Sequence, residues 1–269
     1  MKGGVLLLAI DIGNTQTVIG LFKDDELLQS WRMVTPRHET SDEIASAIYG
    51  FMHNCGYDVS KVSEVAVSCV VPRILFELDR MTKKYFKLDP FIIDINIKTD
   101  LKINYDYPKE IGADRIANSV AAKELYGHPA IVVDFGTATT FDILSSGGEY
   151  IGGVIAPGIE ISSEALFNYA AKLSKVDLSW PNSVIGKNTY DCIRSGILFG
   201  FLGQADFIIN KIIDEVKEIE NNFNPKVIAT GGLAVLMVGR SKYIQIHDSD
   251  LTLKGLKILV NKNRIKGKI

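Results

Sequence analysis

The sequence is poor in features that mark several classes of protein. Its three cysteines, Cys55, Cys69 and Cys192, are far apart and form no C-x-x-C pair. We therefore predict neither a disulfide framework nor a zinc site, and we expect three reduced, buried side chains. The formal net charge is only −2, so the concentrated basic surface of nucleic-acid-binding proteins is missing and nucleic acid is not an expected partner.

Long apolar runs are also missing. The first run, residues 5–10, is too short for the core of a signal peptide, and no stretch approaches the roughly 20 apolar residues that cross a membrane. We expect a cytoplasmic protein that does not contact a membrane. The sequence contains no G-x-x-x-x-G-K-[ST] loop, which separates it from Walker-type kinases. The basic residues near the C-terminus are interpreted as a solvated chain end: Lys262, Arg264, Lys266 and Lys268.

Two similar turns each follow a short apolar strand pattern. Asp11-Ile12-Gly13-Asn14-Thr15-Gln16-Thr17 comes after residues 5–10, and Asp134-Phe135-Gly136-Thr137-Ala138-Thr139-Thr140 comes after residues 130–133. An aspartate at a strand end can hold a hydrated cation, and glycine lets the backbone approach a phosphate whose oxygens accept from threonine hydroxyls. A single copy is equally typical of an ordinary hairpin turn. Two copies favour a duplicated domain that binds a polyphosphate.

The length and pattern of the chain predict its architecture. With 269 residues, of which 46% are hydrophobic, the chain can form two domains of common size. The duplicated strand–turn–strand pattern resembles the actin-like ATPases, so we predict an α/β fold of two duplicated, ribonuclease H-like domains. Each would contain a mixed sheet flanked by helices, opening with an antiparallel meander. Gly127-His128-Pro129 marks the predicted boundary between domains 1–126 and 127–269.

Further motifs leave more than one interpretation open. Gly112-Ala113-Asp114-Arg115 precedes a predicted helix over residues 116–126. Asp114 and Arg115 there suit a helix dipole and a surface ion pair, or a proton acceptor beside a group that binds an acid. Gly186-Lys187-Asn188-Thr189 precedes a helix predicted from about residue 190 to 219, and Thr189 has the composition of its N-cap.

Two patterns of glycine residues are also candidates for function or packing. Gly231 and Gly232 form a third glycine-rich turn, which is predicted to lead into a helix. In the actin-like architecture such a turn lies beside the adenosine. Within the long helix Gly196, Gly200 and Gly203 share one stripe, and we expect this stripe to pack against a second subunit or the facing domain because helical glycine costs about 1 kcal/mol relative to alanine.

Seven motifs in order resemble those of the type III pantothenate kinases. They are Asp-x-Gly-Asn-Thr, Gly-Ala-Asp-Arg, Asp-Phe-Gly-Thr-Ala-Thr, Gly-Gly-x-Ile-x-Pro-Gly, Gly-x-Asn-Thr, Thr-Gly-Gly and Asp-Leu-Thr-Leu-x-Gly-Leu, and they extend from Asp11 to Leu256. The chain departs from the family pattern at Ser179-Trp180-Pro181, where an aliphatic residue before the proline is more usual. This departure concerns the loop and not the chemistry.

The resemblance implies ATP-dependent phosphorylation of pantothenate to 4′-phosphopantothenate, the first step of coenzyme A biosynthesis, by a homodimer with its substrate site at the subunit interface. It implies that ATP is bound with Mg²⁺ and that a monovalent cation, K⁺ or NH₄⁺, is also bound. The residues that match the family's sites are Asp11, Gly13, Asn14, Thr15, Thr17, Val18, Thr137, Gly231 and Gly232 for ATP; Tyr105, Gly112, Ala113, Asp114, Arg115 and Thr189 for pantothenate; Asp114 as proton acceptor; Asp134 for the monovalent cation; and Asp11 for magnesium, through water.

Two other interpretations remain. A non-catalytic accessory or regulatory protein of the same fold would have no need of Asp11 and Asp114, although both are present. A kinase for another small hydroxylated acceptor would keep both Asp-x-Gly turns, but it would not need Gly112 to Arg115 with Tyr105 ahead of them.

Overall fold

A computed structural model describes residues 5–36, 38–170, 173 and 175–264. By packing, the chain forms two compact units. The first comprises the residues up to Asp100, Asp106–Ala121 and the residues from Asp250 onward, and the second comprises Leu101–Tyr105 and Ala122–Ser249. These units differ from the predicted domains in three places, because residues 101–105 and 122–126 pack with the second unit and the C-terminal helix packs with the first.

The first unit is built on a five-stranded mixed sheet. Its strands are β1 (Leu6–Ile12), β2 (Gln16–Lys23), β3 (Glu26–Val34), β4 (Val62–Cys69) and β5 (Phe91–Ile92), in the order β3-β2-β1-β4-β5. β1, β2 and β3 form the predicted antiparallel meander, whereas β4 and β5 run parallel to β1. A charged turn joins β2 to β3, and Asp24 adopts a positive φ of 53° there, a conformation that aspartate tolerates better than most residues.

The described part of this unit contains four α-helices, and the first of them begins at a capping box. They are α1 (Ser41–Asn54), α2 (Pro72–Met81), α3 (Ala113–Tyr126, of which the last turn belongs to the second unit) and α6 (Leu251–Asn263). The Thr40 hydroxyl accepts from the Glu43 N–H at 3.4 Å, and the Glu43 carboxylate accepts from the Thr40 N–H at 2.8 Å, which is a capping box. Ile44, Ile48 and Met52 of α1 then pack with Ile10, Leu21 and Val67 in the first core.

The other face of this sheet is covered by α6, whose Leu253 lies against Gly20 of β2, and α6 in turn approaches α3 closely. A Cβ added at Gly255 of α6 would lie 2.1 Å from the carbonyl oxygen of Ala117 in α3. The end of α6 is tied down by charge, since Arg264 donates to Glu64 at 3.0 and 2.5 Å and Lys262 donates to Asp100 at 2.9 Å. The interpretation of Lys262 and Arg264 as a solvated chain end is therefore wrong, and Lys266 and Lys268 lie outside the described residues.

The second unit repeats the sheet of the first. Its strands are β6 (Ala130–Phe135), β7 (Ala138–Leu144), β8 (Tyr150–Pro157), β9 (Lys226–Thr230) and β10 (Ile246–His247), in the order β10-β9-β6-β7-β8. β6, β7 and β8 form the antiparallel meander, and β9 and β10 are parallel to β6. The duplication read from the two Asp-x-Gly turns therefore extends to strand order and direction.

Two helices, α4 (Ile159–Tyr169) and α5 (Thr189–Ile219), pack on the second sheet. Within the described residues, α5 alone is long and apolar enough to cross a membrane by length and composition. Its side chains Leu198, Ala205 and Ile209 are buried in the second core with Phe141 and Val133, so we describe it as a core helix. The third glycine-rich turn leads only into a 3₁₀ turn, Ala234–Leu236, where a helix was predicted.

The cysteines are free, as expected, but they are less buried than predicted. Cys55 and Cys192 are exposed and Cys69 is half-buried. Cys55 is the C-cap of α1, where the helix leaves the core, and Cys192 lies in the first turn of α5 beside a cavity. Sequence spacing alone does not show on which side of a helix such a small side chain will lie.

Candidate active site

The first Asp-x-Gly turn joins β1 to β2. Asp11 is half-buried near the end of β1, and Asn14 and Thr15 at the tip of the turn are exposed. The Gly13 N–H donates to the Gln16 carbonyl at 3.0 Å, which closes the turn. Asn14 and Thr15 therefore present polar groups outward, beside a carboxylate that points away from the first core.

Thr17 and Thr35 stabilise this turn by hydrogen bonds on its buried side. Thr17 is buried, and its hydroxyl lies 3.2 Å from the Thr35 hydroxyl, which also lies 2.7 Å from the Gly13 carbonyl and donates to it. The Thr35 N–H donates to the Thr15 carbonyl at 2.9 Å. Thr17 thus supports the shape of the turn, and its predicted contact with ATP stays a prediction. Thr35 was missed in the sequence, although it ends the strand that pairs with β2.

Asp114 lies at the start of α3 with its carboxylate folded over Gly112. A Cβ at Gly112 would be 2.4 Å from Oδ1 of Asp114, so any larger residue there would displace this carboxylate. Burial raises the pKa of Asp114 above its usual value, while the Arg115 N–H, which donates to Oδ1 at 2.8 Å, opposes that rise. A carboxylate with a raised pKa is a better proton acceptor near neutral pH. Arg115 is itself buried, with only 8% of its surface exposed, which does not agree with a surface ion pair.

Val70 connects these two motifs. It follows β4, its N–H donates to the Ile12 carbonyl at 3.1 Å, and its side chain lies 3.8 Å from the Cβ position of Gly112. The register of β1 and β4 places Asp11 beside Ser68, two residues before Val70. The structure therefore brings the first Asp-x-Gly turn and the Gly-Ala-Asp-Arg motif together at one end of the first unit.

The turns that contain Gly136, Gly158 and Gly231 lie together at one end of the second sheet. Gly158 lies against the turn after β6, because a Cβ there would be 2.2 Å from the Thr137 carbonyl oxygen. Gly231 has a φ of +90°, and a Cβ there would be 2.4 Å from Oδ1 of Asp134 and 2.7 Å from the backbone of Phe135. Both positions admit only glycine for steric reasons. Asp134, Thr137, Gly231 and the exposed Gly232 are thus assembled as one site within this unit.

Thr189 is the first residue of α5, and the predicted N-cap role belongs to Asn188. The Asn188 side chain accepts from the Asp191 N–H at 2.9 Å. Thr189 is exposed and, with Asn188, Lys187 and Gly186, lines one wall of a cavity of about 780 Å³ between α4 and α5. Pockets for small ligands commonly fall between about 300 and 1,000 Å³.

Tyr105 belongs to the second unit. It follows residues 101–104, whose backbone is bonded to the first residue of β8, since the Asn104 N–H donates to the Tyr150 carbonyl at 2.8 Å. The Tyr105 ring contacts the Tyr150 ring edge-to-face, with 6.1 Å between centroids. The sequence had placed Tyr105 in the first domain, because the loop shows no pattern that reveals its sheet partner.

The donor groups fit the predicted cations. Among the described residues, no three His, Cys, Asp or Glu side chains converge on one point, which excludes a metal cage made from protein side chains alone in that part of the chain. Magnesium does not require one, since it is usually held by one or two carboxylates, water and substrate phosphates. Asp11 beside a phosphate-binding turn suits that mode. Asp134, bordered by the backbone of Gly231 and 3.5 Å from the Cβ position of Gly136, offers oxygens where main-chain groups come close, as a weakly hydrated monovalent cation needs.

Comparison with solved structures supports the fold. A chain from Campylobacter jejuni described as a Baf family transcriptional activator matches with a TM-score of 0.55 and 20% identity, covering 95% of this chain and 98% of that one. Component A of (R)-2-hydroxyglutaryl-CoA dehydratase from Acidaminococcus fermentans also gives a TM-score of 0.55, at 13% identity and with coverages of 96% and 97%. These identities carry information on the fold alone.

The two matching sheets and their glycine-rich turns define an α/β protein of two duplicated domains, each with a mixed sheet flanked by helices, as predicted. The sequence comparisons are more specific. The family model for type III pantothenate kinase matches residues 7–211. A curated type III pantothenate kinase of Halalkalibacterium halodurans is 47% identical over 258 residues, which are 96% of this chain and all of that protein. The chain belongs to the type III pantothenate kinase family.

Proposed function

We propose that this protein transfers the γ-phosphoryl group of ATP to the terminal hydroxyl of pantothenate. The observation that carries the proposal is membership of the type III pantothenate kinase family over nearly the whole chain, at 47% identity to a curated member. The reaction forms a bond from the hydroxyl oxygen to the γ-phosphorus and breaks the bond from that phosphorus to the β-phosphate oxygen. The products are 4′-phosphopantothenate and ADP.

Asp114 is the proton acceptor in this proposal. A primary alcohol is a weak nucleophile at neutral pH, and a positioned carboxylate can take its proton during transfer. The Arg115 N–H fixes one oxygen of the Asp114 carboxylate at 2.8 Å, and burial raises the Asp114 pKa. Asp114→Asn should leave ATP binding intact and lower turnover by roughly 10²–10⁴, the usual contribution of a general base.

The two Asp-x-Gly turns bind the phosphates of ATP. Phosphoryl transfer depends mostly on alignment of the groups and on neutralisation of charge. Asn14 and Thr15 are exposed on the first turn, and Thr137 lies on the second, beside Gly158. Magnesium bound with ATP supplies positive charge to the phosphates, and Asp11 would hold it through water. Gly231 and Gly232 are assigned to the adenosine, as the resemblance to the actin-like class implies.

Pantothenate binding is assigned to Tyr105, the Gly112-to-Arg115 turn and Thr189. The buried guanidinium of Arg115 suits the carboxylate of pantothenate, because charge-assisted bonds are stronger in a poorly solvated place. Thr189 offers an exposed hydroxyl on the wall of the cavity. Asp134 is proposed to hold K⁺ or NH₄⁺.

A homodimer is proposed from the exposed face of α5. Cβ atoms added at Gly196, Gly200 and Gly203 meet no described atom within 4 Å, so the stripe of glycines is uncovered within the described chain. On the same helix Tyr190 and Phe207 are 43% and 63% exposed. A second copy packed on this face would cover that surface, and the substrate site would then be complete only in the dimer. A cytoplasmic location remains a prediction.

The test is a coupled assay of ADP release with purified protein, ATP and magnesium, with and without pantothenate, in potassium and again in sodium. Pantothenate-dependent release that falls in sodium supports both the reaction and the cation site. Release that is equal in the two salts removes the cation proposal alone. Folded protein that binds ATP but releases no ADP with pantothenate contradicts the proposed reaction.

A further inference from the structure

The loop over residues 175–188, which precedes α5, is held almost entirely by side chains. It contains no helix or strand, and no backbone-to-backbone hydrogen bond joins two described residues when one of them lies between 175 and 187. Its last residues, 186–188, line the cavity together with Thr189. Gly186 itself packs on α5, since a Cβ there would lie 2.4 Å from the Cys192 nitrogen. The position of this wall therefore depends on that contact and on what fixes the rest of the 175–188 loop.

Arg194 makes the largest number of these fixing contacts. It lies in the second turn of α5, and its side chain is only 15% exposed. Its Nε and Nη2 donate to the Ser179 carbonyl at 3.0 and 2.7 Å, and Nη2 also donates to the Ser179 hydroxyl. Asp177 of the loop lies 3.6 Å from Nε, and Asp191 of the helix lies 3.5 Å from Nη1.

The two aspartates hold the guanidinium in place. Asp191 is also bonded to Asn188, whose amide donates to it at 2.8 Å, and Asp177 accepts a hydrogen bond from Tyr190. Arg194 thus joins the start of the loop to the residues that cap α5. A planar guanidinium can donate in two directions at once, which the point charge of lysine cannot reproduce.

Trp180 and Ser195 also hold the loop in place. The Trp180 indole N–H donates to the Leu236 carbonyl at 2.7 Å, and its ring packs edge-to-face on Phe199 with 5.0 Å between centroids. The Ser195 hydroxyl donates to the Val184 carbonyl at 2.5 Å. Trp180 is the residue at which the loop departs from the family pattern described above, and these contacts hold it in place.

We propose that Arg194 is a positioning residue for pantothenate, acting through the 175–188 loop on Thr189. The inference rests on the proposed function, because Thr189 is there assigned to pantothenate. Arg194 does not touch the substrate in this account. It fixes the backbone that sets where the wall from Gly186 to Thr189 stands, while the ATP-binding turns do not include any part of this loop.

The test uses Arg194→Ala, Arg194→Lys and, as a matched arginine control, Arg80→Ala. Arg80 is an exposed residue of α2, 3.6 Å from Glu77 and over the ring of Phe76. Displacement of a binding group by about 1 Å can cost up to about 100-fold. We expect Arg194→Ala to raise KM for pantothenate about 10- to 100-fold while KM for ATP stays within about twofold. Arg194→Lys should fall between it and the wild type, and Arg80→Ala should match the wild type.

A spectroscopic measurement gives an independent result. The chain has two tryptophans, so Trp31→Phe leaves Trp180 as a single fluorescent probe in the loop. Removing Arg194 in that background should shift the Trp180 emission to the red, as the indole becomes more solvated. If Arg194→Ala keeps the wild-type KM for pantothenate and its Trp180 emission is unchanged, the inference is overturned. An equal rise in KM for pantothenate and KM for ATP overturns it as well. If Arg194→Ala does not fold, Arg194→Lys decides by the same two criteria. A wild-type protein without pantothenate-dependent activity instead contradicts the proposed function.

Discussion

The contact between α3 and α6 makes Gly255 the most informative position for linking the fold to the activity. A Cβ at Gly255 would lie 2.1 Å from the Ala117 carbonyl oxygen and 2.6 Å from its carbon. Carbon and oxygen atoms normally approach no closer than about 3.3 Å. Gly255→Ala must therefore separate the two helices by roughly 1 Å, or bend one of them, near the Thr252 hydroxyl that donates to Asn118 at 2.8 Å.

The expected cost follows from two opposing effects. Overpacking a well-packed core costs about 1–3 kcal/mol, and alanine gains about 1 kcal/mol over glycine within a helix. The net loss should be at most about 2 kcal/mol, which is about 1–3 kcal/mol relative to a helical glycine-to-alanine change without this overlap. Because α3 begins at Ala113 and carries Asp114, the same displacement should lower kcat, by up to about 100-fold for a shift of about 1 Å.

The measurement is the midpoint of urea unfolding together with kcat, for Gly255→Ala and for Gly50→Ala as a matched control. Gly50 lies inside α1, and a Cβ there meets no described atom within 4 Å. Gly50→Ala should keep full activity and raise the midpoint. A Gly255→Ala protein as stable and active as Gly50→Ala would refute the close packing of α6 on α3.

Three further predictions concern a proton acceptor, a buried pair and an uncovered helix face. Burial raises the Asp114 pKa, and only the ionised carboxylate accepts a proton. The kcat should therefore fall as the pH drops through a value above the usual aspartate range. A pH–rate profile in which Asp114→Asn keeps the same fall at acid pH would contradict this role. Tyr126 donates to the buried Asp248 at 2.7 Å, and burial with this bond raises the Tyr126 pKa to about 12. Stabilisation by this pair should be complete below about pH 10, the ordinary tyrosine pKa, and be lost as the pH rises to about 12. Urea unfolding of Tyr126→Phe should therefore show a free energy of unfolding lower than that of the wild type by about 1–2 kcal/mol at pH 8, and the difference should shrink at alkaline pH. A difference that stays constant with pH argues against this hydrogen bond. Gly200→Leu should lower the molecular mass measured by light scattering from that of a dimer to that of a monomer, whereas unchanged mass and stability would remove the proposed interface.

Most of the architecture could be predicted because it depends on local patterns. Apolar strands ending in Asp-x-Gly predicted β1 and β6, and their repeat indicated a duplicated fold. Each of these features is specified by residues that lie next to one another in the chain. The fold comparison and the strand order confirm that prediction.

Long-range packing could not be read in the same way. The apolar residues of α6 predict a buried helix, but they do not identify the sheet that it covers, and α6 proved to pack on the first unit. Residues 101–105 were misplaced for the same reason. Thr189 and Asn188 are adjacent and both are good caps, so only the Asp191 N–H, which donates to Asn188, decides between them.

The sequence predicted the motifs of the candidate site but not the residues that hold those motifs in position. Asp11, Asp114, Asp134 and the glycine turns stand out by residue type and spacing. Thr35, Val70 and Arg194 act through backbone carbonyls or van der Waals contacts, and their identities carry no sequence signal of that role.

The most direct measurement follows the product itself. Protein, magnesium-ATP and pantothenate should be incubated in potassium and analysed by ³¹P nuclear magnetic resonance and mass spectrometry, for the wild type and Asp114→Asn. The account predicts a phosphomonoester with the mass of 4′-phosphopantothenate in an amount equal to ADP, formed roughly 10²–10⁴ times more slowly by Asp114→Asn. ADP with inorganic phosphate and no phosphomonoester, or equal rates for the two proteins, would contradict it.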